Sequence, residues 1–569
     1  MKKTFIFLLL LFTVATLRAQ PGGLVTSGPP INRDSATRIV KILDNGRIYV
    51  NVKDSIRYMV EHVVLRHENT LFKADSVVHN EKLRFLEAFG KIYINDADSV
   101  ITTARYLKYY IDTRVAVLKN DVTIKTATGS FNSNEVEYNM ISKVATYKKG
   151  ATIYSKKSRL TSREGQYSTN TNDALFTGKV VMHDKDSDVY TDTLYYNTQT
   201  EIATFVTYTK IINKKKNQVV ETTRGFYDMK RGVANLLEYS VIRDSSRIIA
   251  GQRIDLDEQA KTLQLTEGFI RDTAKGQYIA GKSVYLDDKN KFLRILGNGI
   301  YKDSVEGFVI TGNEINGDDK TGRFMSTGKT VAIIKQEEDS VFIAADTLFS
   351  GRIEAGEKIV SDTGKSIFRV DTMAVVKKPS DSAKRYFEAF HHVRVFSDSV
   401  QAVSDSLFYS AVDSVFRLYY QPVVWNNENQ VTGDTIYLYT KNKKADRAEV
   451  FENGFMVNRV QKQFYNQIRG NRLTAYFTKG EIDSLFSKGS GEIIFYIQDE
   501  DSAFVGVDKS EADVIVAFFA KREIYKIKWV NRYDAVTTPM RDVDHGSMRL
   551  RGFSWQEARR PKSKFELFF

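Results

Sequence analysis

The sequence predicts an all-β protein made of a long series of stacked short strands. Three observations support this fold class: a unit of about thirty residues recurs along the 569-residue chain, apolar and polar residues alternate within it, and proline is absent from a long internal stretch. The 30 tyrosines and 35 phenylalanines also suit a pleated surface better than a helix. Hydrophobic residues make up 42 % of the chain, which is enough to bury a core.

The first recurring element of the unit has the form Gly-x-Val/Ile-x-Ile, with substitutions. Its alternation is clear in residues 121–125, DVTIK, and a period of two predicts a strand with one buried and one solvated face. Because one unit cannot bury its apolar face alone, neighbouring units must stack. Copies begin near Gly90, Asn120, Gly150, Gly178, Thr209, Tyr239, Gly268, Gly297, Gly328 and Gly356, with looser copies near His391, Gln421 and Gly454.

The second recurring element has the form small-Asp-Ser/Thr-apolar. A catalytic pair of carboxylates needs a unique environment that separates two pKa values, whereas this aspartate recurs in unit after unit. We therefore predict a structural role, in which the side chain bonds the backbone of a turn where a strand begins. The recurring aspartates are Asp75, Asp192, Asp346, Asp405 and Asp434.

Proline marks the limits of the repeat array. Pro30 precedes the array and the next proline is Pro379, where the repeat spacing also stretches. Because proline cannot donate a hydrogen bond to a sheet ladder, the long interval fits continuous strand pairing. The predicted segments are repeats over residues 38–376, a boundary or inserted loop over 377–385, and a second β-repeat segment over 386–535.

The N-terminus predicts export. Lys2 and Lys3 precede an apolar run over residues 5–17, and Ala19 offers a cleavage point, which together are typical of a secretory signal peptide over residues 1–19. A linker over residues 20–37 follows. The chain has no cysteine, so burial and backbone pairing must stabilise it without disulfides.

The net charge and the composition of the C-terminal residues indicate which kinds of partner the protein could bind. The net charge of +13 suits either anionic partners such as lipid phosphates or simple solubility, while nucleic acid is not expected outside the cytoplasm. Residues 536–569 form a basic and aromatic tail. We expect this tail to be a solvated end, with contact to a partner or a membrane as the alternative.

The sequence contains no recognisable catalytic or metal-binding motif. It has seven histidines, no H-E-x-x-H sequence, no phosphate-binding loop and no G-x-S-x-G motif. We therefore predict that the protein is not an enzyme and has no catalytic residue, metal ligand or cofactor.

An apolar ladder along the stacked strands is the candidate binding site. It is either an ordinary dry core or, if two sheets splay apart, a groove that holds acyl chains by burial. Each buried CH₂ group contributes roughly 0.8 kcal/mol, so a few partly buried chains give useful and reversible affinity. The ladder comprises Leu86, Ile92, Ile94, Val122, Ile124, Phe176, Val180 and Met182.

Residues 42–212 resemble the OstA-like domain shared by LptA and the soluble part of LptD. The resemblance is carried by the serial units HENTLFKADSVVHNEKLRFLEAFGKIYI, NDVTIKTATGSFNSNEVEYNM and GKVVMHDKDSDVYTDTLYYNTQTEIATF. It implies an elongated β-jellyroll whose two sheets form an open V, often called a β-taco. It also implies a periplasmic bridge that shelters the acyl chains of lipopolysaccharide and passes the lipid toward the outer membrane.

The resemblance further implies partners. These are lipopolysaccharide itself and the jellyroll domains of inner- and outer-membrane transport proteins, joined by pairing of edge strands. Self-association and association with the outer membrane are left open. The chain is much longer than a single-domain LptA and lacks the pattern of the large LptD barrel, so we expect two consecutive jellyroll segments.

Two other interpretations fit a thirty-residue period. The first is a parallel β-helix enzyme that acts on polysaccharide, which would need one unit with extra, unrepeated acidic or basic residues. The second is a structural solenoid at the cell surface, capped at both ends and without bound lipid.

Overall fold

The computed structural model divides the chain into two compact units, Met1–Leu265 and Thr266–Phe569. The predicted signal peptide, the linker and residues 377–383 of the predicted boundary lie outside the described residues. The structure describes residues 41–67, 70–96, 100–127, 129–155, 158–318, 320–335, 340–353, 384–441, 444–478, 481–520 and 523–568.

Antiparallel strands joined by short turns make up both units. Over the described ranges, every recorded strand pairing is antiparallel and the only helices are three 3-10 turns. The predicted all-β class is confirmed. The parallel β-helix is wrong, because a thirty-residue unit here is a hairpin of two strands and not one coil. In this part of the chain no helix is long and apolar enough to cross a membrane.

The N-terminal unit begins with two short strands and continues as a meander. Its strands are β1 Lys41–Asp44, β2 Arg47–Asn51, β3 Ile56–His67, β4 Thr70–Asn80, β5 Phe85–Asp96, β6 Val100–Tyr110, β7 Val115–Thr126, β8 Gly129–Asn139, β9 Val144–Tyr147, β10 Ala151–Ser155, β11 Ser158–Ser162, β12 Glu164–Ser168, β13 Asp173–Asp184, β14 Ser187–Asn197, β15 Ile202–Phe205, β16 Thr209–Asn213, β17 Gln218–Thr222, β18 Gly225–Asp228, β19 Val233–Leu236, β20 Ser240–Arg243 and β21 Arg247–Asp257.

The boundary between the units falls within β22, Thr262–Asp272. The C-terminal unit ends with 3-10 turns at Met540–Asp542, Glu557–Arg559 and Lys564–Glu566. Its strands are β23 Gln277–Asp287, β24 Phe292–Asp303, β25 Phe308–Asp318, β26 Arg323–Lys335, β27 Ser340–Ile353, β28 Lys384–Phe396, β29 Gln401–Ser410, β30 Val415–Tyr419, β31 Val423–Asn426, β32 Asn429–Thr432, β33 Thr435–Lys441, β34 Lys444–Arg459, β35 Tyr465–Thr478, β36 Glu481–Gln498, β37 Phe504–Ala520, β38 Glu523–Val530 and β39 Asp534–Pro539.

The first recurring element marks the place where the long strands bend. The backbone φ angle is +91° at Gly90, +61° at Asn120 and +74° at Gly178, in the left-handed region that interrupts a pleated strand. The ladder between β5 and β6 shifts register at the same place, between Phe89 and Ile92. Each long strand therefore changes direction near its middle and continues in a second part of the sheet.

The bends divide the sheet of the N-terminal unit into two halves. Half A holds the strand segments that follow the bends of β5 and β7, residues 92–96 and 122–126, with their paired neighbours. Half B holds the segments before those bends, residues 85–89 and 115–119, with theirs. One core cluster contains buried residues of both halves, so the two halves face each other across an apolar interior.

Asp75 and Asp192 lie at these bends, whereas Asp434 directly precedes β33, where the prediction places it. Asp75 accepts a hydrogen bond from the Lys91 backbone N–H at 3.0 Å, and Asp192 accepts one from the Lys179 N–H at 3.4 Å. The predicted bond to backbone is therefore present at these two sites. It spans two neighbouring strands in mid-strand, however, and does not lie where a strand begins. At these two sites, the aspartate of the second recurring element thus forms a hydrogen bond between the bends of two neighbouring strands.

Candidate functional site

The eight residues of the predicted ladder come together in the interior of the N-terminal unit. Six of them are buried members of the core cluster, and Leu86 and Ile94 are partly buried and pack against it. Leu86 and Phe176 belong to half B, while Val122 and Val180 belong to half A. The structure therefore places the ladder on both inner faces. The buried six are Ile92, Val122, Ile124, Phe176, Val180 and Met182.

A small cavity lies between the two halves. Its volume is about 30 Å³, and its lining includes Ile124 and Ile153 from half A and Val136 and Phe176 from half B. A volume of this size holds about one water-sized molecule. This cavity as it stands is therefore too small to hold an alkyl chain.

The interior carries few polar groups, and its tyrosines are uncharged at neutral pH. The Tyr147 hydroxyl and the Ser162 hydroxyl lie 2.5 Å apart and bond to each other. Burial raises the pKa of Tyr147 to about 12, and burial does the same for Tyr196 and Tyr227. An environment without charge is the one that an alkyl chain requires.

One rim of the interior combines basic and apolar side chains. The turns that follow the half-B segments end at Arg84, Arg114 and Lys143, each with a positive φ angle. The same turns expose Leu83, with 66 % of its surface accessible, and Ile141. Sequence reasoning missed this rim, although a basic residue at intervals of about 30 positions was a readable signal.

The first two strands form an apolar edge. Both β1 and β2 pair with β3, and their outward edge has no recorded strand partner among residues 41–67 and the other described ranges. Every side chain in these two strands is exposed, including Tyr49 at 52 %. Unpaired backbone groups beside exposed apolar side chains form a template for another strand.

The described residues contain no group of three or more His, Cys, Asp or Glu side chains placed to hold a metal ion. His391 and His392 form separate pairs with Asp405 and Asp346 at 3.2 and 2.8 Å. All four side chains are largely exposed. The pairs lie at a bend, as two of the other recurring aspartates do.

Comparison with known proteins agrees with the resemblance read from the sequence. Residues 38–192 match the profile of a family described as OstA-like protein, and all eight ladder residues lie in this range. A search of curated proteins finds no significant match. The chain is also similar to LptH of Pseudomonas aeruginosa, described as the LptA homologous periplasmic component of the lipopolysaccharide transport device. That likeness has 18 % identity, covers 19 % of this chain and 83 % of LptH, and has a TM-score of 0.18.

Proposed function

We propose that the protein is a periplasmic bridge that binds lipopolysaccharide in the interior of its N-terminal unit and passes it toward the outer membrane. One observation carries the proposal: an uncharged apolar interior, lined by the eight ladder residues, lies between two facing sheet halves inside the OstA-like range. On this proposal the protein is a carrier and not an enzyme, and its partners do not include nucleic acid.

Acyl chains enter by separation of the two halves. The strand ladders lie on either side of the bends, and the recorded pairing is interrupted at the bends themselves, so opening the interior requires rotation about the bends and no loss of strand pairing. Opening exposes side chains such as Ile124 and Phe176, which costs free energy in proportion to the apolar area exposed. An inserted chain covers the same side chains again and so offsets this cost.

The rim residues suit the head group of the same lipid. When the acyl chains lie between the halves, the phosphates of the lipid stay at the rim, where Arg84, Arg114 and Lys143 lie. Arginine and lysine bind phosphate by charge-assisted hydrogen bonds. The Nε atom of Arg84 also lies 3.1 Å from an Asp112 oxygen, an exposed ion pair that costs little to exchange for a phosphate.

The exposed edge of β1 and β2 suits a partner of the same architecture. A jellyroll domain of a membrane-bound transport protein, or a second copy of this chain, would add a strand there through backbone hydrogen bonds. Such pairing would extend the apolar interior from one protein into the next. The edge would thus join the protein to its neighbours, and the interior would hold the lipid, which are the two properties that a bridge requires.

A photo-crosslinking experiment on neighbouring positions tests lipid binding. A photoreactive phenylalanine analogue replaces Val122, which points inward, or Thr123, the next residue of the same strand. The full-length variants are illuminated with purified lipopolysaccharide. We expect crosslinks at position 122 and few at position 123, because successive side chains of a strand point to opposite faces. Equal crosslinking, or none at position 122 in folded protein, would refute the proposal.

A further inference from the structure

The C-terminal tail lies across one face of the sheet in the C-terminal unit. Directly paired residues of neighbouring strands share a face, and the registers of β28 to β35 place Arg394, Gln401, Trp425, Gln430 and Gln467 on one such face. We call it the tail-bound face. The sequence predicts a solvated tail, whereas residues 548–567 bond to this face.

Two glutamines of this face hold the backbone of the tail. The Gln430 amide donates to the Ser554 carbonyl and accepts from the Gln556 N–H, both at 2.7 Å. The Gln467 amide does the same further along the tail, at 3.0 Å to the carbonyl of residue 548 and 2.9 Å from the N–H of residue 550. Each glutamine therefore binds main-chain atoms of residues i and i+2 of the tail, and turns at residues 551–552 and 557–559 follow the two bound segments.

Side-chain anchors flank these two clamps. The Arg560 guanidinium donates two hydrogen bonds to the Gln401 side chain at 2.9 and 2.7 Å and one to the Asn427 carbonyl at 2.9 Å. Leu550 is buried in a cluster with strand residues of the sheet, and Leu567 is buried beside Val331 and Ala344. The tail thus crosses the sheet from β35 to β26 through spaced contacts.

The face under the tail combines buried polar side chains with an apolar patch around Trp425. Trp425 lies between Gln401 and Gln430 in the strand register and is 0 % exposed. It packs with Val403 and Val423 in a buried cluster. Gln430 and Gln467 are each only 1 % exposed, so their amides are buried polar groups whose hydrogen-bonding capacity is met by the tail.

We propose that the tail-bound face is a docking groove for a peptide segment held by its main chain, and that residues 547–568 are its own detachable occupant. Both clamps bind main-chain atoms, and main-chain hydrogen bonds hold a peptide with little demand on its sequence. No residue of the tail beyond Pro539 belongs to a described strand, so the tail can leave without breaking a ladder. The vacated groove accepts the same segment from a second copy of the chain.

A cleavable tail tests this proposal. A protease site is inserted between Gly546 and Ser547, both exposed, in the otherwise full-length protein. After cleavage, a fluorescent peptide of residues 547–569 is added and its anisotropy is measured. We expect the labelled peptide to exchange with the cleaved tail and to bind reversibly. A cleaved tail that neither leaves nor exchanges would overturn the proposal.

The clamps are tested by substitution in the same cleaved protein. Gln430→Ala and Gln467→Ala should each weaken peptide binding on the order of tenfold, because each removes two hydrogen bonds from a buried site. Gln252→Ala, at an exposed glutamine of the N-terminal unit, is the matched control and should leave binding unchanged. Equal affinity of all three variants would overturn the assignment of the clamps.

Hydrogen exchange in the intact chain provides an independent measurement if a variant fails to fold. The amides of Leu550 and Gln556 should exchange at least about tenfold faster than strand amides that lie beneath them, such as Ile468, because the tail detaches without unfolding of the sheet. Exchange of all three amides at one common rate would show that the tail is an integral part of the fold, and would overturn the proposal.

Discussion

Replacement of Gly90 by alanine tests the bend that shapes the interior. A Cβ atom at this position would lie 2.1 Å from an Asp75 carboxylate oxygen, and the φ angle of +91° disfavours any L side chain. The backbone conformation costs about 1–2 kcal/mol. Displacement of Asp75 also removes its bond to the Lys91 N–H, which adds about 1 kcal/mol. We expect a total loss of ~2–3 kcal/mol in local stability.

Two further variants separate the cost of the positive φ angle from the cost of displacing Asp75. Gly307 has a φ angle of +73°, and a methyl group on its Cα would have no neighbouring atom within 4 Å, so Gly307→Ala should cost only the backbone part, about 1–2 kcal/mol. In an Asp75→Ala background, Gly90→Ala should lose about 1 kcal/mol less than in the wild type, because the bond to the Lys91 N–H is already absent, while the contact with the Cβ atom of residue 75, at 2.6 Å, remains. Hydrogen exchange of strand amides is the suitable assay, because a chain of two units does not unfold in one step. Equal losses for Gly90→Ala and Gly307→Ala would refute the reasoning.

Three further predictions concern the core, a buried carboxyl group and the exposed edge. Phe176→Ala enlarges the interior cavity and should lower the stability of the N-terminal unit by about 3 kcal/mol in hydrogen exchange, whereas a loss under about 1 kcal/mol would contradict close packing there. Burial raises the pKa of the Glu388 carboxyl group from 4.5 to about 7. The folded state therefore binds the carboxyl proton more tightly than the unfolded state does. The protonated carboxyl group stabilises the fold fully below pH 4.5, and this stabilisation is lost as the pH rises to about 7. Glu388→Gln should therefore reduce the fall in stability of the C-terminal unit between pH 5 and pH 8, and an unchanged pH profile would contradict the assignment. Val50→Lys places a charge on the exposed edge and should weaken association of the protein with itself or a jellyroll partner in sedimentation, because charges on an edge strand oppose further pairing; unchanged association would exclude this edge as the contact.

The sequence predicted the repeating strands because their signals are local. Alternation over residues 121–125 and the spacing of Gly90, Asn120 and Gly178 mark strands and units directly. The sequence did not show that these residues form bends within strands, since glycine and asparagine serve equally at hairpin turns. For the same reason Asp75 was expected where a strand begins, although its bond to Lys91 crosses to the next strand.

Strand direction was beyond the reach of a periodicity argument. A coil of a parallel β-helix and a hairpin of two eleven-residue strands occupy the same thirty residues, so the period alone fits both.

The course of the tail could not be predicted for a different reason. Gln467 lies 83 positions before Leu550, whose N–H it binds, and Gln401 lies 159 positions before Arg560. Composition cannot reveal contacts at such separations, and a basic, aromatic segment resembles a solvated end.

The ladder residues illustrate what alternation can and cannot establish about a binding site. Val122 and Ile124 are buried, but a buried position is the same in a permanent core and in a groove that opens. A permanent core and a groove differ in which contacts are broken when the two sheet halves separate. Because the strand ladders lie within each half and are interrupted at the bends, opening would break contacts between apolar faces and leave the ladders intact.

Under the proposed function, that geometry also sets the affinity expected for a lipid. An alkyl chain replaces contacts between the two sheet halves with contacts of the same chemical kind, so the net gain is smaller than the roughly 0.8 kcal/mol per CH₂ of transfer from water. A modest gain suits a carrier, because a chain held too tightly would not leave. Substitutions that stiffen the bends should therefore slow both capture and release, whereas substitutions at Arg84 or Lys143 should change the affinity for the head group alone.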